Sequence, residues 1–367
     1  MQTIEEGKIP KRIVLSFDGT WNIPDEDPAD QIVTDTNVAR FHDAVHRRDD
    51  DGVEQLRHYY HGIGTRWFER LAGGGLGIGV SRTMMAGYRD LSLEYEPGDS
   101  VFLLGFSRGA YTARALAGII SRCGLLSAPR AGAAVAPDDP NPPADDPLLN
   151  AYQHWTMRGR DDDERRRFRE AADVFAAVFC RPARIAFLGV WDTVGALGIP
   201  GRIFDRFNTT LFEFPDRDLT PIVDRAYHAV ALDEHREDYK ATLWNRRASR
   251  TQHMEQCWFV GDHCDVGGGH RLAVGDPRIA DISLAWMQEN AREAGLALTA
   301  TVPDAACSGA RAHDTYAKFL KGAYALRHPR YLRPVRQTRE GNETIHQSVR
   351  DRVAADADYH PQNLGFV

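Results

Sequence analysis

The chain has 367 residues, of which 43% are hydrophobic and 26% charged, and it carries a formal charge of −7. Those values fit a soluble globular protein with one large α/β domain and insertions, or two ordinary domains. The acidic balance gives no electrostatic basis for a nucleic-acid partner, which calls for a basic patch or stripe.

Ile13–Phe17 reads as a first buried strand that runs into Asp18-Gly-Thr-Trp-Asn22, an Asp-Gly turn at a strand's carboxyl end. Open α/β sheets place ligands at such ends. An acidic loop over 24–35 precedes a helix over Thr36–Val45, with Thr36 as its cap. Gln55–His61 is the next strand. The glycine run 73–79 matches neither the P-loop nor the dinucleotide fingerprint and is expected to be a flexible loop near the site. A helix over Val80–Tyr95 and a Pro-Gly turn lead into the strand Val101–Leu104.

Farther along, segment 127–147 is rich in Ala, Pro and Asp and reads as a mobile insertion. Helices over Leu148–Met157 and Glu164–Phe179 follow it, so 127–182 together predict a cap inserted over the active-site mouth. Arg184–Trp191 is a strand that delivers Asp192-Thr-Val-Gly195. Aromatic-rich Ile203–Pro215 reads as a loop and a candidate substrate wall, and Ile222–Asp233 as a helix. Gln256–Val260 is the last strand, ending in Gly261-Asp-His-Cys-Asp-Val-Gly-Gly-Gly-His270, and Ile279–Ala294 is an amphipathic helix. The tail 326–367 has little periodicity and is expected to wrap the surface. Five buried strands alternating with helices predict one α/β-hydrolase-like domain over 1–367, with a mostly parallel sheet and helices on both faces.

Gly105-Phe-Ser-Arg-Gly109, set between a strand and a helix over Ala110–Ile120, fits G-x-S-x-G. In that motif a sharp turn exposes the serine oxygen and aims a helix N-terminus at a developing anion. A serine hydroxyl needs an adjacent base oriented by a carboxylate. Ser107, Asp192 and His263 supply nucleophile, acid and base in the chain order of α/β hydrolases, each after a buried strand. His270 and His228 compete for the role of base, and Asp265 for that of acid, although the simpler role for Asp265 is to pin the glycine turn. The oxyanion hole is expected from the N–H of Arg108 together with that of Gly19 or Thr20. Asp18 either stands beside that hole or accepts hydrogen bonds within its own turn. Arg108 is also placed to touch an anionic substrate. No zinc-type His/Cys grouping occurs, and neither metal nor cofactor is expected.

The odd set Cys123, Cys180, Cys257, Cys264 and Cys307 contains no C-x-x-C pair, which argues for a reducing compartment. The first twelve residues lack the apolar core of a secretory signal, and no apolar run is long enough to span a bilayer. A cytoplasmic location follows as the expectation, with signal-less export left open.

Six stretches together resemble a known family. They are Phe17–Asn22, Gly62–Thr65, Gly105–Arg114, Gly189–Gly195, His228–Glu234 and Trp258–Gly269. The chain is similar to the α/β-hydrolase domain DUF2235, related to the catalytic part of type VI secretion Tle1-type phospholipase effectors. The resemblance implies a triad of Ser107, Asp192 and His263. Two departures stand out. Cys264 replaces a common serine, and His270 a common aromatic. The effectors also carry a large membrane-targeting portion that this length does not accommodate, so the hydrolase chemistry carries over better than the phospholipid substrate.

The reading that follows is a serine hydrolase cleaving carboxylic, lipid-like esters through an acyl-enzyme. The alternatives are a catalytically silent hydrolase fold used for binding, and metal-assisted phosphoester hydrolysis at Asp18, Asp192 and Asp265.

Overall fold

Apolar runs such as Val14-Leu-Ser-Phe17 and Val101-Phe-Leu-Leu104 are buried on both sides of the strand, the pattern of a parallel sheet covered on each face. The computed structural model describes residues 9–19, 32–33, 35–62, 75–137, 139, 142–157, 159–195, 217–303, 305–338, 340 and 342–365. Its main sheet contains β1 (Arg12–Phe17), β2 (Gln55–Tyr60), β3 (Ser100–Phe106), β4 (Ile185–Trp191), β5 (Val223–Ala231), β6 (His253–Phe259) and β7 (Glu343–Ile345). They lie in the order β7-β6-β5-β4-β3-β1-β2, and every pairing is parallel.

The faces separate by side-chain parity. Leu15, Leu103 and Val190 pack with α2 (Gly75–Glu94) and α3 (Arg108–Cys123) on one face. On the other, Val14, Phe102 and Phe187 meet α1 (Asn37–Ala44) and, later in the chain, the helix Ala280–Glu293. Thr36 caps α1 by accepting the Ala39 N–H, as its place before the apolar repeat predicts. The strand order reverses between β1 and β3. The carboxyl ends of those neighbours, Phe17-Asp18-Gly19 and Phe106-Ser107, therefore flank the crevice where open α/β sheets bind ligands.

Several expectations change. Within Ile222–Asp233, Val223–Ala231 form β5 rather than a helix. From Ala226 to Ala231 every residue is buried, so the alternation that marks a half-exposed strand is absent, and sheet context overrides helix-favouring alanines. The glycine run is helical from Gly75 onward. Met84, Tyr88 and Leu91 anchor the later turns in the core, and the helix propagates back from them. The tail does not merely wrap the surface, since Glu343–Ile345 adds the edge strand beside β6. The expected loop at Ile203–Pro215 lies outside the described residues.

The segment 127–182 folds into α4 (Ala128–Ala133), α5 (Pro147–Thr156) and α6 (Asp162–Phe179). Its contacts with α3 fall on that helix's distal half, where Arg122 donates to Asp173 and to the Phe168 carbonyl and Cys123 meets the Ala151 carbonyl. In these contacts the segment expected as a cap braces α3. Among the described residues no helix is long and apolar enough to cross a membrane.

The crossing at the switch point depends on Gly109. A Cβ there would lie 2.0 Å from the Phe17 carbonyl oxygen, a backbone atom that cannot step aside. Gly109→Ala should lower stability by about 3 kcal/mol or more, read from urea unfolding. An unchanged midpoint would refute this close approach.

Candidate active site

Ser107 ends the turn between β3 and α3 with φ 57° and ψ −118°, a left-handed conformation that costs a non-glycine residue roughly 1–3 kcal/mol. Two anchors hold it there. Its N–H donates to the Trp191 carbonyl at 3.0 Å, and its carbonyl accepts the first helical bond from Tyr111 at 3.2 Å. Ser107 occupies the N-cap position of α3, yet its side chain makes no capping bond. The hydroxyl and the first-turn N–H groups of a 16-residue helix thus remain available at the carboxyl edge of the sheet.

The neighbouring strand ends in a second strained residue. Asp192 follows β4 with φ 38° and is completely buried. Its Oδ2 lies 2.5 Å from His263 Nδ1, at the start of α7 (His263–Gly267). Arg333, itself 1% exposed, grips the same carboxylate with two donors, at 2.5 Å to Oδ1 and 3.0 Å to Oδ2. Oδ1 also accepts the Ala231 N–H at 3.0 Å. Burial alone would push this carboxyl up. The Arg333 guanidinium and His263 overcome that and hold it far below the usual carboxylate range.

His263 is enclosed as well as paired. The Phe106 ring lies 4.6 Å away, and the Tyr239 ring meets the imidazole edge-on at 5.2 Å. The His263 N–H donates to Glu234 at 3.3 Å. Glu234 is locked in a buried pair with Arg236, whose guanidinium covers the Tyr239 ring at 3.6 Å. No hydrogen bond from Ser107 Oγ to the imidazole is among those described, although Phe106, the residue before Ser107, packs directly against it.

The competing histidines fall elsewhere. His228 lies wholly inside the sheet, where its Nε2 accepts the Thr193 N–H at 3.0 Å, and burial drives its pKa down to about 3. His270 pairs with Asp262 at 2.9 Å and faces Asp265 at 3.6 Å. Asp265 closes a capping box with Asp262, which agrees with its simpler role of pinning the turn.

The Asp-Gly turn takes the second of its two expected forms, with Asp18 accepting within its own turn. The Gly19 N–H is taken up by Asp18 Oδ1 at 2.6 Å, so it does not serve as the second oxyanion donor. Gly19 keeps the crevice open instead, since a Cβ there would meet Phe106 at 3.0 Å and the Ser107 Cβ at 3.4 Å. Asp18 also accepts from Thr36 and Tyr59, which makes it a buried tether. Thr20 lies outside the described residues. Arg108 is mostly buried beside the nucleophile position. Burial lowers its guanidinium to about 10 against a smaller opposing effect from Tyr239, and among the described residues it has no carboxylate partner. Asp18, Asp192 and Asp265 each face different partners, so the three do not form one metal site.

Residues 11–290 match the family described as "T6SS, Phospholipase effector Tle1-like, catalytic domain". The chain belongs to this family. A relative from Saccharomyces cerevisiae, "Uncharacterized protein YEL023C", is 28% identical over 247 residues, covering 63% of this chain and 32% of its own length. Among solved structures, an uncharacterized protein from Pseudomonas aeruginosa superposes with a TM-score of 0.46 at 18% identity, covering 83% of this chain and 49% of the other. The structure of the Tle1 effector bound to the VgrG spike from the type 6 secretion system gives 0.37 at 18% identity, over 73% and 52%. The chain thus spans about a third to a half of the length of these relatives.

Arg333, Glu234 and Tyr239 are the site residues that sequence reasoning missed. Arg333 sits in an aperiodic stretch with no motif. Glu234 closes the resembling segment His228–Glu234, which was the one available signal. Replacing Arg333 with Met strips the buried Asp192 of its main counter-charge, so a loss of about 3–5 kcal/mol in urea unfolding is expected. A loss under 1 kcal/mol would show that the carboxylate does not depend on it.

Proposed function

We propose that the chain is a serine ester hydrolase acting on lipid-like carboxylic esters through Ser107, His263 and Asp192. The observation that carries this reading is the pairing of a strained serine at a helix N-terminus with a buried Asp–His couple at the adjoining strand ends. Family membership supports the same class of chemistry.

In this mechanism Ser107 Oγ attacks the ester carbonyl carbon while its proton passes to His263 Nε2. Asp192 accepts from Nδ1–H, which fixes the tautomer and stabilises the imidazolium. The serine–histidine contact tightens as substrate binds, as apo geometries commonly require. The negative oxygen of the tetrahedral intermediate faces the Arg108 N–H at the start of α3. Collapse breaks the ester C–O bond, and His263 returns the proton to the departing alkoxide. Water, deprotonated by His263, then cleaves the acyl-Ser107 bond and releases the acid. Arg333 is a positioning residue, acting on Asp192 and not on substrate.

The Arg108 side chain, cationic and without an acidic partner among the described residues, fits an anionic headgroup beside the scissile ester. This favours a phospholipid over a neutral ester as the substrate class.

A fluorophosphonate probe should label the native chain at Ser107, and Ser107→Ala should abolish both labelling and hydrolysis of acyl-ester substrates. Folded protein that resists the probe would instead indicate a silent hydrolase fold. Arg108→Gln should raise KM for an anionic phospholipid by about tenfold or more while leaving a neutral short-chain ester within about twofold, a contrast set by losing one charge-assisted contact. Equal effects on both substrates would remove the headgroup assignment.

A further inference from the structure

The α7 turn carries a second cluster that the proposed hydrolysis does not use. Asp265 is buried, and its two oxygens are treated differently. Oδ2 is fixed by two backbone donors, the Asp262 N–H at 3.1 Å and the His313 N–H at 2.8 Å. Oδ1 faces two imidazole nitrogens, His313 Nδ1 at 2.7 Å and His270 Nε2 at 3.6 Å. The two rings stack at 3.8 Å with 22° between their planes, which brings both nitrogens to the same oxygen. All three candidate ligand atoms lie within 4.8 Å of one another.

We propose that Asp265, His270 and His313 form a binding site for one divalent transition-metal ion of the zinc type. Bonds of about 2.0–2.2 Å to a shared ion place its ligands roughly 3–3.5 Å apart, so two of the contacts already have nearly the required spacing. Two imidazoles and one carboxylate select a borderline ion over calcium or magnesium, which favour oxygen sets.

The surroundings suit the role. Asp262 does not need His270, because its Oδ1 also accepts the Cys264 and Asp265 N–H groups and its Oδ2 accepts the Thr315 hydroxyl. His270 Nε2 is therefore free to turn from Asp262 to an ion without leaving that carboxylate bare. All three ligands line a cavity of about 230 Å³, which leaves room for water to complete the coordination. The ion would tie the turn containing His263 to the segment around His313, which lies 48 residues beyond Asp265. It would thus act as a clamp on that turn, with no role in the ester chemistry.

The test uses the full chain stripped with EDTA and exchanged into metal-free buffer, then titrated with ZnCl2 by calorimetry. One ion per chain should bind with Kd at or below about 10 μM. A hundredfold excess of free zinc over Kd should raise the thermal midpoint by roughly 3–4 °C. His270→Phe, which keeps a ring stacked on His313, and His313→Gln should each weaken binding at least tenfold. His360→Gln, at an exposed histidine outside the cluster, should leave it unchanged. Circular dichroism confirms that the variants are folded, and binding by the parent chain stands as a separate requirement. No saturable binding below about 1 mM zinc, or equal binding by the parent and both cluster variants, would overturn the site and leave a hydrogen-bonded Asp–His cluster.

Discussion

A fully buried carboxylate is the constraint around which the site is arranged. Asp192 has no access to water, and an isolated charge in that position would neutralise or unfold its surroundings. Every lone pair that matters is answered from within the protein, by Arg333, by His263 and by the Ala231 N–H. These partners come from a C-terminal segment, a helical turn and a neighbouring strand. Satisfying one oxygen pair thereby fixes the relative position of three elements far apart in sequence. The imidazole held by this arrangement is then hemmed by Phe106 and Tyr239, so its orientation follows from packing as well as from charge.

Strain is concentrated in the same place. Ser107, Asp192 and Arg336 are the non-glycine residues with positive φ among those described, and the first two terminate adjacent parallel strands. Each is held by a backbone bond to the next strand, Ser107 N–H to the Trp191 carbonyl and Asp192 N–H to the Ala229 carbonyl. The sheet ladder thus continues one residue past the regular strands and imposes the turn on both. Such residues persist only where the surrounding structure over-determines them.

The parts of the fold that were legible in the sequence are those with a local physical signature. β1, β3, β4 and β6 are short apolar runs ending in polar turns. The elbow is legible because Gly105 and Gly109 are required where a Cβ would lie 2.4 Å and 2.0 Å from backbone atoms. β5 was not legible, since burial on both faces erases its alternation and alanine favours helix in isolation. β7 has three residues and owes its existence to pairing with β6, a contact no local pattern encodes. Within the site, Ser107, Asp192 and His263 announce themselves by motif and order. The use of the Gly19 N–H and the grip of Arg333 depend on three-dimensional neighbours, so they could only be found in the folded chain.

The reach of Arg333 also bears on how the molecule comes into being. A chain emerging from the ribosome presents its N-terminal portions first, and domains generally begin to organise as they emerge. The strands that carry Ser107 and Asp192 are made long before residue 333, and the counter-charge that lets Asp192 remain buried follows that acid by 141 residues. Until then the centre of the sheet holds an acid it cannot comfortably enclose. Completion of the site thus waits on synthesis of Arg333, and a nascent chain stalled before it would carry its elbow without a settled partner.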